Sequence, residues 1–232
     1  MRESRHGKQH APDGSPIGFY ALFPPQGEPE LIHALLSPGA VILELGCGAG
    51  RITHPLIALG HPVVAVDQSA AMLAHVRDAE TVLSEIETLD LGRAFPVVLL
   101  ASNLINTEHD AQRDAFLHTC RRHVAPDGVV ILQRIDPVWA ANATDAEAQE
   151  GEVHTTLRDV RHNGRLLSAV SEYRIGDRVW THPWTMRILD DAEIEAALAT
   201  TSLRVQRYLG PNRTWITAMP ATSARRAHQT GR

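Results

Sequence analysis

The sequence predicts an α/β fold: a Rossmann-like, doubly wound, mostly parallel sheet with an antiparallel β-meander inserted after the fifth strand. Three observations carry that prediction. Short apolar runs at 41–45, 62–66, 97–101 and 129–133 alternate with segments of helical spacing. Strands that are apolar on both faces belong to parallel sheets covered by helices on both sides. A glycine-rich turn follows the first run, and past residue 150 the rhythm changes to β-like runs joined by "NG" and "GD", which are two-residue hairpin signals.

Each element has its own justification. "EPELIHALL" places apolar residues at 31, 32, 35 and 36, a helical spacing. Val41–Leu45 is the first buried strand, and 50–59 reads as a helix closed by Gly60. "PVVAV" is the second strand, with Asp67 at its end, and Ser69 caps the next helix, "SAAMLAHV". A weaker strand is expected near 82–86. "VVLLA" forms the fourth, Asp110 to His123 a helix with Phe116, Leu117, Cys120 and Val124 on one stripe, and "VVILQ" the fifth strand. Within the meander, alternation puts Trp180, His182, Trp184, Met186 and Ile188 on one face, and Pro183 marks that run as an edge strand or a bulge. "DDAEIEAALAT" is a capped helix, followed by final strands in "LRVQRYL" and "RTWITAM". Residues 1–15 and 220–232 are polar and aperiodic and read as solvated, disordered tails. That leaves 16–219 as one domain, with its antiparallel insertion at about 150–188.

Composition narrows the function classes. The chain has 232 residues, 44% of them hydrophobic, and a formal net charge of −5 with histidines neutral. A nucleic-acid binder usually shows a positive balance or a basic stripe, so none is expected as a partner. Cys47 and Cys120 are the only cysteines and lie far apart, which gives neither a disulfide framework nor a zinc site. No apolar run approaches the ~18 residues of a membrane span. The polar start "MRESRHGKQHAPDGSP" lacks the apolar core of a signal peptide. A cytoplasmic enzyme with a small-molecule partner is the expectation, and a homodimer stays open.

The chemistry concentrates in "VILELGCGAGRIT". In an open parallel sheet, ligands bind at the carboxyl ends of the strands near the point where strand order reverses. The dinucleotide pattern G-x-G-x-x-G would use Gly46 and Gly48, but its third place holds Arg51, and the third glycine comes one residue early, at Gly50. Glu44, two residues before the turn, is badly placed beside a pyrophosphate and suits a ligand carrying positive charge.

"ELGCGAG" resembles the first motif of class I S-adenosylmethionine-dependent methyltransferases, with the acid and Gly46, Gly48 and Gly50 in the family's places. The resemblance covers roughly 20–135, with a weaker echo at 189–218. It implies S-adenosyl-L-methionine as cofactor, whose ammonium and sulfonium account for Glu44, and S-adenosyl-L-homocysteine as product. Cys47 joins the cofactor turn. Asp67 corresponds to the acid that binds both ribose hydroxyls, followed by Gln68, and Met72 matches the apolar residue against the adenine. "SEIETLDLG" is similar to the third-strand segment, with Glu85 in the place of an aspartate and Ile86 after it. "FPVVLLASNLIN" resembles the fourth-strand motif with Pro96 replacing the usual aspartate, and "CRRHVAPDGVVIL" matches the helix–turn–strand signature. Asn103 then belongs to the cofactor's methionine end, and Asn106 to the substrate entrance.

Methyl transfer needs a nucleophile held in line with the methyl and water excluded; a base is needed only where the nucleophile must lose a proton. The candidates are Tyr20, from a segment that folds over the cofactor in similar enzymes, and His154 and His182 in the meander, ahead of His109 with its neighbour Glu108. Arg134, Trp180 and Trp184 are candidate substrate contacts; the face of the two tryptophans reads either as core or a subunit interface, or as a substrate wall that would stack a flat ring. Asp136 alone is suggestive of a metal ligand, so metal dependence is not expected. The expected acceptor is an aromatic or heteroaromatic secondary metabolite methylated on C, N or O. Two rivals remain: a cofactor-binding cyclase or sensor of the same fold, and a nicotinamide oxidoreductase.

Overall fold

Five parallel strands form the centre of the molecule, and their order reverses beside the first of them. The computed structural model describes residues 10–221. In chain order come α1 (Ile17–Tyr20), α2 (Glu28–His33), β1 (Ile42–Leu45), α3 (Thr53–Ala58), β2 (Val63–Asp67), α4 (Ala70–Leu73), β3 (Glu80–Leu83), β4 (Phe95–Leu100), a 3₁₀ turn (Leu104–Asn106), α5 (Asp110–His123), β5 (Val124–Gln133), α6 (Pro137–Asn142), β6 (Ala146–Glu150), β7 (Val153–Asn163), β8 (Leu166–Ile175), β9 (Arg178–Arg187), α7 (Asp191–Thr200), β10 (Leu203–Leu209) and β11 (Trp215–Pro220). The main sheet has the order β3-β2-β1-β4-β5-β11-β10. β1 pairs in parallel with both β2 and β4, while β11 runs antiparallel to β5 and β10.

The apolar runs explain this sheet. Alternate residues of each central strand enter opposite layers. Leu43, Leu45, Val64, Val66, Val98 and Leu100 join Phe116, Leu117, Ile194 and Leu198 beneath α5 and α7. Ile42, Val63, Ala65, Val97 and Leu99 join Ile32, Ile52 and Leu56 on the other side. Each fully buried leucine or isoleucine contributes roughly 1.5–3 kcal/mol relative to exposure. Glu44 is the exception in β1: it is only 3% exposed.

The insertion is a separate antiparallel sheet in the order β6-β7-β8-β9, so β9 with Pro183 is an edge strand, as its proline requires. Residue pairing places the two-residue hairpin loops at 164–165 and 176–177, so Asn163 ends a strand instead of opening the turn. The sheets meet through an isolated bridge between Thr107 and Met186. Asn106 reinforces the junction, donating from Nδ2 to the Arg187 carbonyl and accepting the Ile135 N–H, each at 2.8 Å.

Several boundaries differ from the sequence expectation. The helix expected over 50–59 begins at Thr53, because Gly50 has φ +87° and cannot open a right-handed helix. The third strand lies at 80–83 rather than 82–86. The meander has four strands; β6, "AEAQE", is exposed throughout and carries no apolar signal. Residues 10–15 are not part of a solvated tail. His10 bridges to Pro16, and the Ala11 N–H donates to the Ser15 carbonyl at 2.9 Å. Pro220 closes β11 and the Ala221 N–H donates to the Ser202 carbonyl at 2.9 Å, so these two residues are not tail either; residues 1–9 and 222–232 lie outside the described residues.

Candidate functional site

A cavity of about 780 Å³ opens at the carboxyl ends of β1, β2 and β4, where the strand order reverses. Its size is that of a small-molecule site, roughly 300–1,000 Å³. One end is built by the glycine turn. The N–H groups of Gly46 and Cys47 both donate to the Val66 carbonyl, at 2.8 and 2.9 Å, which ties the turn to β2. All three glycines have positive φ: +71° at Gly46, +56° at Gly48 and +87° at Gly50. A Cβ at Gly46 would meet Leu104 Cδ1 at 2.4 Å, and one at Gly50 would meet His54 Cε1 at 2.5 Å, whereas a Cβ at Gly48 meets nothing within 4 Å. Gly46 and Gly50 therefore serve the packing of the turn, and Gly48 leaves space beside the cavity.

Two acids frame that end. Thr53 Oγ1 donates to Glu44 Oε2 at 2.6 Å. Burial pushes the Glu44 carboxyl up to about 7, against the lowering influence of Thr53 and Arg51. Asp67 accepts the Gly48 N–H at Oδ2 and the Ser69 N–H at Oδ1, both at 2.8 Å. Burial also raises Asp67, and the two amides oppose the rise. Its carboxylate is thus fixed in direction, with acceptor capacity left for a ligand. Gln68, Met72 and Ile86 complete this end of the wall. Met72 also packs on Ala11 and Ile17. Glu85 is exposed and outside the lining, and Glu87 lines the cavity beside Ile86, its Oε1 accepting from Gln112 Nε2 at 2.8 Å.

Arg51 enters the lining in a role the sequence did not signal. Its Nη1 pairs with Glu28 Oε1 at 2.5 Å, and its guanidinium lies 5.3 Å from the centre of the Phe23 ring. The side chain that replaces the dinucleotide glycine thereby clamps the glycine turn to the segment that enters α2. Opposite it, Ser102 and Asn103 follow β4 with φ of +54° and +59°. Two consecutive non-glycine residues in the left-handed region are strained, and such strain gathers at ligand sites. Gln133 supports the bend by accepting the Ser102 N–H at 2.7 Å.

The other end of the cavity is walled by the N-terminal segment and β9. Asp13, Ser15 and Tyr20 come from the first, and His182, Trp184 and Met186 from the second. Tyr20 meets His182 edge-on at 6.3 Å between ring centres, while its neighbour Phe19 stacks on Tyr173 of β8 at 3.9 Å. Burial, followed by the charge of Tyr173, pushes the Tyr20 hydroxyl well above the usual phenol range. Burial lowers the His182 imidazole, opposed by Asp13. Its Nδ1 is buried without a hydrogen-bond partner among the described residues. Trp184 Nε1 donates to Ser171 Oγ at 2.9 Å.

Other sequence candidates fall elsewhere. His154 is exposed on β7, opposite Gln149 and Arg174, and does not line the cavity. Trp180 shares the face of His182 but packs against Phe19, 5.9 Å between ring centres. Arg134 is 2% exposed and binds Asp191 at 2.5 Å and the Leu189 and Arg213 carbonyls at 3.2 Å. It ties β5 to α7 and to the β10–β11 turn, away from the cavity. Asn106 lines the cavity, although its amide is spent on the backbone bonds between the sheets. His109 is exposed beside Glu108, and Asp136 caps α6 by accepting the Val138 and Trp139 N–H groups.

Comparison with known proteins agrees with this geometry. Residues 42–128 match the family model described as "Methyltransferase domain". The chain is similar to a cypemycin N-terminal methyltransferase from Streptomyces, 30% identical over 130 residues, covering 47% of this chain and 53% of the relative. It is similar to a ubiquinone biosynthesis O-methyltransferase from Agrobacterium fabrum, 30% identical over 139 residues, covering 56% and 54%. The chain spans about half the length of the curated relatives it matches. An amino pentose methyltransferase from Micromonospora echinaspora, solved with SAM bound, shares the fold at TM-score 0.66 and 20% identity, covering 90% of this chain and 93% of that one. No helix among the described residues is long and apolar enough to cross a membrane.

Proposed function

We propose, from the premise that residues 42–128 form a methyltransferase domain on the fold of the S-adenosylmethionine-dependent enzymes, that this chain methylates a small molecule. The observation that carries the proposal is one cavity with two unlike ends. The first end has a buried acid with no cationic hydrogen-bond partner among the described residues, a second acid aimed by two amides, and open space over Gly48. Those features fit the cofactor: Glu44 faces its positive charge, Asp67 its ribose hydroxyls, and Met72 and Ile86 its adenine. Cys47, Gln68 and Asn103 complete that wall. When bound, the cofactor supplies an electrophilic methyl on a sulfonium.

The second end receives the acceptor. Trp184 and Met186 offer an apolar wall for a flat ring, and α1 packs on the insertion beside them through Phe19 against Tyr173. His182 lines this end with its imidazole lowered by burial, and it takes the proton of a hydroxyl or amine acceptor. The buried Tyr20 hydroxyl stays protonated and acts as a hydrogen-bond donor. The curated relatives named above are an N-terminal methyltransferase and an O-methyltransferase of ubiquinone biosynthesis, so nitrogen and oxygen acceptors rank ahead of carbon here. A screen of phenol, amine and indole acceptors read by S-adenosylhomocysteine release tests the proposal. The proposal expects turnover with at least one class and a 10²-fold or larger loss of kcat in His182→Gln for a proton-losing acceptor. Cofactor binding without turnover of any acceptor contradicts it and leaves the cyclase or sensor reading.

A further inference from the structure

The cavity does not stop at the face of β9 that carries His182 and Trp184. It continues past this edge strand to its other face, where Thr185 lines it together with Ser168 of β8 and Asp159 and Arg161 of β7. Arg161 stands directly opposite Ser168, and Ser168 directly opposite Thr185. The two hydroxyls are 3.0 Å apart. A guanidinium and two hydroxyls thus form a row across three strands.

That row exists because β7 carries a bulge. Its register shifts between Arg158 and Arg161, with two residues of β7 facing one of β8. Asp159 takes φ +55° there, a costly conformation for a non-glycine residue. Asp145 Oδ1 accepts the Val160 N–H at 3.0 Å, and the Val160 side chain packs on the cluster of Ala140, Ala143, Leu167 and Ile188. The bulge is anchored on one face and turns Arg161 to the other, the behaviour expected of a bulge beside an active site.

The charges then differ in availability. The lining contains two arginines. Arg51 is paired with Glu28, while the Arg161 side chain makes no hydrogen bond or ion pair among the described residues. Arg158, two positions before Val160, pairs with Glu172. We infer that Arg161, Ser168 and Thr185 form a subsite for an anionic group, a carboxylate or a phosphate, on the acceptor. Guanidinium binds such groups through two parallel N–H donors, and the hydroxyls supply further donors. The inference rests on reading this cavity as a methyltransferase acceptor site.

Calorimetric titration of the full chain saturated with S-adenosylhomocysteine tests it, with benzoate, phenyl phosphate and the neutral benzamide as probes. Benzoate or phenyl phosphate binds roughly tenfold or more tightly than benzamide, and Arg161→Gln removes that preference without changing benzamide binding. Which anion binds better identifies the carboxylate or phosphate source. Arg158→Gln, outside the cavity, keeps the preference. Equal binding of anion and benzamide, no anion binding, or an unchanged preference in Arg161→Gln overturns the inference. Absence of S-adenosylhomocysteine binding overturns the methyltransferase reading instead, and the anion titrations are then read on the cofactor-free chain by the same criteria.

Discussion

At the scale of single residues, Glu44 makes a sharp statement about the ligand. A buried carboxyl raised from 4.5 to about 7 holds its proton more tightly in the fold than in the unfolded chain. Its effect on the empty protein is therefore loss of stability as pH rises from about 4.5 through about 7. A bound cation reverses the preference by favouring the ionised form. S-adenosylmethionine affinity should accordingly rise as pH increases from 5.5 to 7.5, and Glu44→Gln should weaken binding and flatten that profile. Calorimetry across this range checks it; an affinity independent of pH in the native chain contradicts the role given to Glu44. The same scale shows what a glycine motif conceals. "GCGAG" is legible as a ligand turn, but only Gly48 faces open space, while Gly46 and Gly50 answer Leu104 and His54. Leu104 is invisible in the motif because it lies far along the chain, and His54 because its contact depends on how the turn enters α3.

Among the elements, legibility followed apolar pattern. Strands with both faces buried, the Ser69 cap that accepts the Met72 N–H at 3.3 Å, and the turn at Gly60 were all readable locally. β6, α6 and the β7 bulge were not, since β6 is polar and exposed and the bulge depends on Asp145 and the packing of Val160. Arg134 shows the resulting error in a functional reading. The end of a central strand is where ligand residues are expected, yet its side chain is turned away to hold α7 and the last hairpin. Arg134→Ala should lower stability by roughly 1–3 kcal/mol, because the Leu189 and Arg213 carbonyls lose their donor while the half-exposed Asp191 keeps Arg213, and leave S-adenosylhomocysteine affinity within about twofold. Denaturant melts and calorimetry measure both. A large loss of ligand affinity in a stably folded variant would place Arg134 in the site after all.

For the whole molecule, the site is a product of topology. The sheet order reverses beside β1, the antiparallel insertion stands over the carboxyl ends of the strands, and Asn106 with the Thr107–Met186 bridge fixes the two sheets together. Residues 10–20 close the cavity from the start of the chain, with Phe19 stacked on Tyr173. The fold class and the cofactor end could be read from the sequence because both reside in local motifs. At the other end Tyr20, His182 and Trp184 were legible as candidates, but Asp13 and Arg161 were not, because only the folded chain brings them to the same cavity. The central claim is that the carboxylate of Asp67, aimed by Gly48 and Ser69, holds S-adenosylmethionine at the turn after β1. Isothermal titration of the native chain and Asp67→Ala with S-adenosylhomocysteine and with NADH tests it most directly. The account predicts micromolar S-adenosylhomocysteine binding, a loss of roughly 100-fold or more in Asp67→Ala, corresponding to about 2.7 kcal/mol, and no heat with NADH; binding of NADH, or undiminished S-adenosylhomocysteine binding in a folded Asp67→Ala, would contradict it.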